Sequence, residues 1–450
     1  MKLNHIIFVL VLILVYLYIL AQPAPWLTFD HLPKPIRPFR PIGVALLNEI
    51  FKRITFPRVT KDSILWLSKT KTGLNELYDD NEKNFEKGLD MLSQSIENDT
   101  NLNYLGRLIV WAQLDITVSN RLKIGDYYYN KGYAKKTNMR PPIFILGMPR
   151  SGSTFLHNLL SLDEDNFRAP RMWEIVDPVP PLGVQTNQTF NRFIRKTFNE
   201  FGTGMFRFLS PTLTGVHPIH SDNAEECMPI LALDMLSYHF HTIMNVPTYH
   251  DWVMTQDQTR ALEWHEKFLR VLTVEDRIWL LKAPWHMNHL EAIFKVYPDA
   301  KIIVTHREPS KMLASLSSLL ARLYGLVSDD INPHGIGAYL TKLWSTIVER
   351  FVHARRKLAQ TPQGKQIYDI HFSGLTHDPL STAKQVYQFL GLELTPSTEK
   401  KMRTWLETDI GLGKKGASGK HEYQPEWYGL DEDMLNQIPS FVEYMNMFHS

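Results

Sequence analysis

Hydrophobic positions change rhythm three times along the chain, and each change predicts a different kind of element. The first is an uninterrupted apolar run, Ile6 to Ala21 (IIFVLVLILVYLYILA), preceded by Lys2 and His5. It is at the short end of the roughly 17–25 residues that cross a bilayer as a helix. Small residues do not fall at the −3 and −1 positions of a cleavage site in the AQPAP flank, where Ala24 would pair with Gln22 and Ala21 with Ile19. Residues 1–21 are therefore expected to form an uncleaved signal-anchor transmembrane helix. Lys2 precedes the run and the next basic residue is Lys34, so the positive-inside rule leaves the amino terminus cytosolic and the body lumenal. Short spans suit thinner early-secretory membranes, which predicts a single-pass type II protein of the Golgi or another secretory-pathway membrane.

Residues 22–47 are rich in proline (QPAPWLTFDHLPKPIRPFRP) and read as an extended stem. From 48 to 140 the pattern is helical, with long stretches such as SILWLSKTKTGLNELYDDNEKNFEKGLDMLSQSI and few breakers. From 141 to 440 the rhythm becomes short apolar runs, each followed by a turn and a helical pattern. Ile143–Leu146, Arg277–Lys282, Lys301–His306 and Gln366–Phe372 are too short for helices and rich in β-formers. Helices are expected at Ser153–Leu160, Met287–Val296, Ser310 to about Leu323, and after THDP at 376–379. That alternation predicts an α/β domain with a P-loop-like parallel sheet flanked by helices. Phe167–Pro181 is kept irregular by Pro170, Pro178, Pro180 and Pro181. Ser221 to about Asn245 reads as one long apolar helix, capped by Ser221 or Asp222, with Glu225 and Glu226 at its positive end.

Composition narrows the function classes. The 450 residues are 44% hydrophobic and 12% aromatic, ample for a large core, and the net charge of +2 gives no reason to expect nucleic acid. Cys227 is the only cysteine, so no intramolecular disulfide forms. Asn98-Asp99-Thr100 and Asn187-Gln188-Thr189 would be glycosylated in a lumenal body, making a glycoprotein. His217, His220, His239 and His241 with Cys227 lack the tight spacing of a zinc site, and no metal is expected there.

Chemistry concentrates after the first short run. Gly147 opens a turn, Met148-Pro149-Arg150-Ser151-Gly152 crosses it, and Ser153 starts a helix. Strand, glycine loop and helix N-terminus together aim N–H groups and a positive dipole at one anion, and Arg150 adds a planar fork of donors. Gly147 and Gly152 have the spacing of the nucleotide-triphosphate loop, but Ser153 stands where that motif needs lysine, which argues against ATP or GTP hydrolysis. A small-molecule kinase and a catalytically silent, membrane-tethered binding protein remain the alternatives. Further on, RIWLLK ends in Lys282 and is followed by Ala283-Pro284-Trp285-His286, while Arg307 and Ser315 stand eight apart across an Arg-x-Pro turn.

Over about Pro141–Leu430 the chain resembles the sulfotransferases that use 3′-phosphoadenosine 5′-phosphosulfate (PAPS), close to the bacterial-type and tyrosylprotein-like branch. PRSGSTF resembles their 5′-phosphosulfate loop, LLKAPWHMNHLEAI their segment of lysine and histidine, and Arg307 with Ser315 their 3′-phosphate motif. The resemblance implies a fold, a reaction and a site. Pro149, Arg150, Ser151, Gly152, Ser153, Thr154 and Phe155 would hold the 5′ end of PAPS, and Arg307 and Ser315 the 3′-phosphate. Phe372 would stack near the adenine where relatives often carry tyrosine. Lys414, Lys415 and Gly416, in GLGKKGASGK, match a closing basic-glycine segment. Lys282 would balance charge on the leaving oxygen, and His286 or Glu174 would deprotonate the acceptor. PAPS would be the co-substrate, with no metal. Expected partners are an acceptor such as a carbohydrate, lipid or other small molecule, the membrane, and a second copy in a homodimer.

Overall fold

The computed structural model describes residues 17–52, 58–80, 83–132, 138–181, 188–210, 220–408 and 423–449. At its centre is a five-stranded parallel sheet: β1 (Ile143–Gly147), β2 (Phe167–Arg168), β3 (Ile278–Lys282), β4 (Lys301–His306) and β5 (Ile367–His371), in the order β2-β3-β1-β4-β5. Four of these are the runs read from the sequence. β2 was not, because two residues inside a proline-rich stretch carry no period; it exists through its pairing of Phe167 with Ile278.

Alternate residues of each strand serve opposite faces. Phe144, Leu146, Trp279, Leu281, Ile302 and Val304 enter one core, and Ile143, Ile145, Ile278, Leu280 and Ile303 the other. The helices Ser153–Leu160, Pro379–Leu390 and Pro396–Leu406 cover the second face. The first is covered by Thr259–Leu272, Pro309–Val327 and Pro333–Ala359, together with the amino-terminal helices Lys61–Thr72, Asn84–Asp99 and Tyr104–Tyr129. The helical region before the sheet thus shares the sheet's core. Its key is Arg121, fully buried, which donates to the Leu77 and Leu233 carbonyls and to Asp234 at 2.9 Å, with its guanidinium over Phe85 and Trp264.

Two expectations change. The proline-rich stem is not a free spacer: Phe29, Leu32 and Ile36 are buried, and Arg40 bonds Asp329 at 2.7 Å and the Ser328 carbonyl at 2.9 Å. A helix, Ile42–Phe51, already begins within it. Ser221–Asn245 is not one helix but short pieces, Met228–Leu231, Ala232–Asp234 and His239–Ile243. Asp234 is held by Arg121 and Arg260, and Met235 turns left-handed at φ 53°, which ends the run. No helix among the described residues is long and apolar enough to cross a membrane. The expected anchor lies mostly outside them: only Leu17–Ala21 is described, as helix.

Register then decides what meets at the sheet's carboxyl edge. Ile145 pairs with Lys282 on one side, and Gly147 with Thr305 on the other. β1 is the strand at which the chain switches direction across the sheet, so the loop after it opens into the crevice where parallel sheets bind ligands.

Candidate active site

The loop between β1 and the helix Ser153–Leu160 is wound by three residues with positive φ: Gly147 (152°), Arg150 (66°) and Gly152 (88°). Gly147 is irreplaceable on space alone, because a Cβ there would lie 2.4 Å from both the carbonyl oxygen and Oγ1 of Thr305. Ser151 Oγ donates to the Met148 carbonyl at 2.6 Å and meets Thr305 Oγ1 at 2.7 Å, buried. Ser151 therefore pins the loop to β4, and Phe155 packs on Trp405 at 5.4 Å on the far side of the helix. Both were expected to touch the co-substrate; in the structure Ser151 bonds within the protein and Phe155 packs on a neighbouring helix. Gly147→Ala is expected to lower stability by about 3–5 kcal/mol, since steric conflict and strain act together. Thermal unfolding checks it, and an unchanged Tm would contradict the packing.

On the β4 side the two motifs far apart in sequence meet. Arg150 Nε donates to Ser315 Oγ at 3.2 Å, and Arg307 Nη1 donates to the Arg150 carbonyl at 2.6 Å. The Arg307 guanidinium stands 4.4 Å over the Phe372 ring. Two guanidinium groups, a buried hydroxyl and an aromatic face so gathered suit a phosphate beside a base. Behind them His306 bonds Asp369 at 2.8 Å and Tyr444 at 2.6 Å, and Arg355 grips both Asp369 oxygens at 2.7 and 2.8 Å. Arg355 and His306 hold the Asp369 carboxyl well below its usual range despite burial. This network fixes the end of β4, and with it Arg307.

On the β3 side Lys282, almost fully buried, donates to Thr154 Oγ1 at 3.2 Å and pairs with Glu226. The triphosphate-loop lysine missing at Ser153 is thus replaced in space by one from the neighbouring strand. Glu226 and Glu225 are not helix caps: the helix begins at Met228 with no side-chain cap. Glu225 keeps part of its surface open, yet dense surroundings and the adjacent Glu226 charge push its pKa up to about 7, against the opposing pull of Lys282. A carboxyl so tuned, beside the glutamate that pairs with Lys282, is suited to proton transfer near neutral pH. Sequence reading missed it because the pair looked fully explained by helix capping.

The two expected bases are held by other side chains. Glu174 is buried with both oxygens engaged, one by Arg168 at 2.7 Å and one by the Arg171 N–H at 3.1 Å. His286 is fully buried edge-on to Phe144, with Nδ1 3.1 Å from His289 Nε2 and its pKa well below the usual value through burial. None of its contacts reaches the loop. Ligand atoms of His286, His265 and Cys227 lie within 4.8 Å of one another, a cluster that could hold one metal ion. Burial pushes the Cys227 thiol up to about 12, so it stays protonated without an ion. Lys414, Lys415, Gly416, His217 and Asn187 lie outside the described residues.

A loop shaped to receive an anion between a strand-end lysine and an arginine pair, at the switch point of a parallel sheet, is the architecture of a P-loop-like group-transfer protein. Residues 141–396 match the profile of the Sulfotransferase family, and the chain belongs to that family. It is 27% identical over 267 residues to the omega-hydroxy-beta-dihydromenaquinone-9 sulfotransferases Stf3 of Mycobacterium bovis and Mycobacterium tuberculosis, covering 56% of this chain and 63% of theirs. The chain thus spans somewhat less than two-thirds of those relatives' length. Among solved structures it is similar to sulfotransferase STF1 of Mycobacterium tuberculosis (26% identity, TM-score 0.72, covering 85% of this chain and 98% of that one). It is also similar to STF9 of Mycobacterium avium (25% identity, TM-score 0.75, covering 88% and 98%).

Proposed function

We propose that the chain transfers a sulfonate from PAPS to a hydroxyl of a lipid-like acceptor. The observation that carries this is the convergence of Arg150, Ser315, Arg307 and Phe372 on one side of the loop, with Lys282 and Thr154 on the other. The residues suit PAPS: Arg307 and Ser315 take the 3′-phosphate, Phe372 offers its ring beside the base, and the loop with Ser153 and Thr154 takes the 5′ end. PAPS supplies a sulfonate already activated as a mixed anhydride with phosphate. Glu225 receives the acceptor's proton as its oxygen bonds to sulfur, and Lys282 steadies the phosphate oxygen released when the S–O bond breaks. The products are a sulfate ester and adenosine 3′,5′-bisphosphate. The Stf3 relatives, named for a hydroxylated menaquinone, are the reason for preferring a lipid-like acceptor over a carbohydrate. Membrane attachment through Ile6–Ala21 is part of the proposal; a Golgi compartment and glycosylation are not, the relatives being mycobacterial.

A thermal-shift comparison tests the nucleotide. Adenosine 3′,5′-bisphosphate is expected to raise Tm, because a ligand that binds only the folded state stabilises it. ATP with Mg²⁺ is expected to raise it far less. The reverse order would favour a kinase.

A further inference from the structure

The helix Gln188–Leu209 is inside out. Phe190, Phe193, Phe198, Phe201, Met205 and Phe208 are 58%, 61%, 75%, 72%, 47% and 44% exposed. At 100° per residue these six share one arc of about 140°. The opposite face, which meets the protein, is mixed: Phe206 and Leu209 pack on the core at its carboxyl end, and charged side chains make the other contacts. Arg195 donates to the Pro180 carbonyl at 3.0 Å, lies 3.3 Å from Asp177 and covers the Trp173 ring. Lys196 pairs with Asp222, and Glu200 accepts from the Ser221 N–H at 3.0 Å and from Arg207 at 2.6 Å. An ordinary surface helix buries its apolar stripe and hydrates its charges; this one does the opposite, so the stripe calls for apolar surroundings outside the fold.

We propose that this helix lies in the plane of a membrane surface, with its phenylalanine stripe sunk into the boundary between headgroups and acyl chains. One further observation selects a bilayer over another occupant. Phe208 packs against Phe39 at 6.4 Å, so the stripe ends on the segment that issues from the amino-terminal apolar run, whose last residues Leu17, Tyr18 and Ile19 are also exposed. Through Lys196 and Glu200 the helix grips the Ser221–Asp222 turn, which leads directly to Glu225 and Glu226. If the acceptor is a lipid, as the function proposed above requires, it would reach the loop from this side.

Cys227 is the only cysteine and is fully buried, so an introduced cysteine can be labelled selectively. The full chain, reconstituted in phosphatidylcholine–phosphatidylserine vesicles, would carry an environment-sensitive fluorophore at Phe198→Cys, at Phe201→Cys or, as control, at exposed Lys400→Cys on the opposite side of the sheet. Blue-shifted emission at 198 and 201, quenched by spin labels on the lipid acyl chains, with neither effect at 400, is the expected result. Emission at 198 and 201 matching that at 400 would overturn the proposal, even if the apolar run holds the chain on the vesicle and sulfonate transfer proceeds. A blue shift that follows protein density and ignores the spin label would also overturn it, in favour of a second copy. Adding Phe193→Glu and Met205→Glu to the labelled chains, both at exposed positions, should leave Tm unchanged and bring the quenching down to the control level.

Discussion

Arg307→Ala is expected to weaken binding of adenosine 3′,5′-bisphosphate by about a hundredfold. Losing a charge-assisted contact to phosphate is worth about 3 kcal/mol, and each 1.4 kcal/mol is tenfold in affinity. The same substitution removes the support that Arg307 gives the Arg150 carbonyl and the Phe372 ring, so the loop loses shape along with charge. Arg307 is only half-buried and belongs to no core cluster, so the fold should persist. Calorimetric titration reads the effect, and undiminished affinity in the folded variant would contradict the assignment of the 3′-phosphate.

Glu225→Gln is expected to lower kcat by about 10²–10⁴-fold, the usual contribution of a positioned base. A base works deprotonated, so the rate of the unaltered enzyme should climb as pH rises through about 7 and then level off. In the glutamine variant that limb should vanish. Stability carries the matching sign. Because the folded pKa lies above the ordinary carboxyl value of 4.5, the folded state binds the proton more tightly. That stabilisation is complete below pH 4.5 and is lost as pH rises through about 7, so Tm should fall over this window relative to Glu225→Gln. A pH limb that survived in Glu225→Gln and disappeared in His286→Gln would return the role to the histidine.

The sheet was legible where the signal is local. Ile143–Leu146, Arg277–Lys282, Lys301–His306 and Gln366–Phe372 are short apolar runs bounded by turns, and the observed strands match them within a residue or so. The loop was legible too, because Gly147 and Gly152 are demanded by backbone geometry. The approach of Arg150 to Ser315 follows from parallel pairing of β1 with β4, so two motifs on neighbouring strands had to meet.

What escaped depends on partners distant in sequence. Glu226 meets Lys282 across 56 positions, and nothing in their local patterns announces it. The break in Ser221–Asn245 falls at Met235, just after Asp234, which is held by Arg121 from over a hundred residues earlier. The proline-rich stem packs because Phe29, Leu32 and Ile36 find a hollow that only the folded body offers. Helix Gln188–Leu209 shows a plain apolar stripe in sequence, but which way such a stripe faces is a property of the tertiary fold.

Transfer of radiosulfur from labelled PAPS by the full chain in vesicles, offered hydroxylated isoprenoid lipids and a panel of water-soluble alcohols and sugars, tests the central claim most directly. The account predicts label in a lipid sulfate ester, formed by the unaltered chain and lost in Arg307→Ala and Glu225→Gln. Label appearing only on sugars would contradict the lipid-like acceptor, and PAPS left intact with every acceptor, by a chain that binds ATP instead, would contradict sulfonate transfer itself.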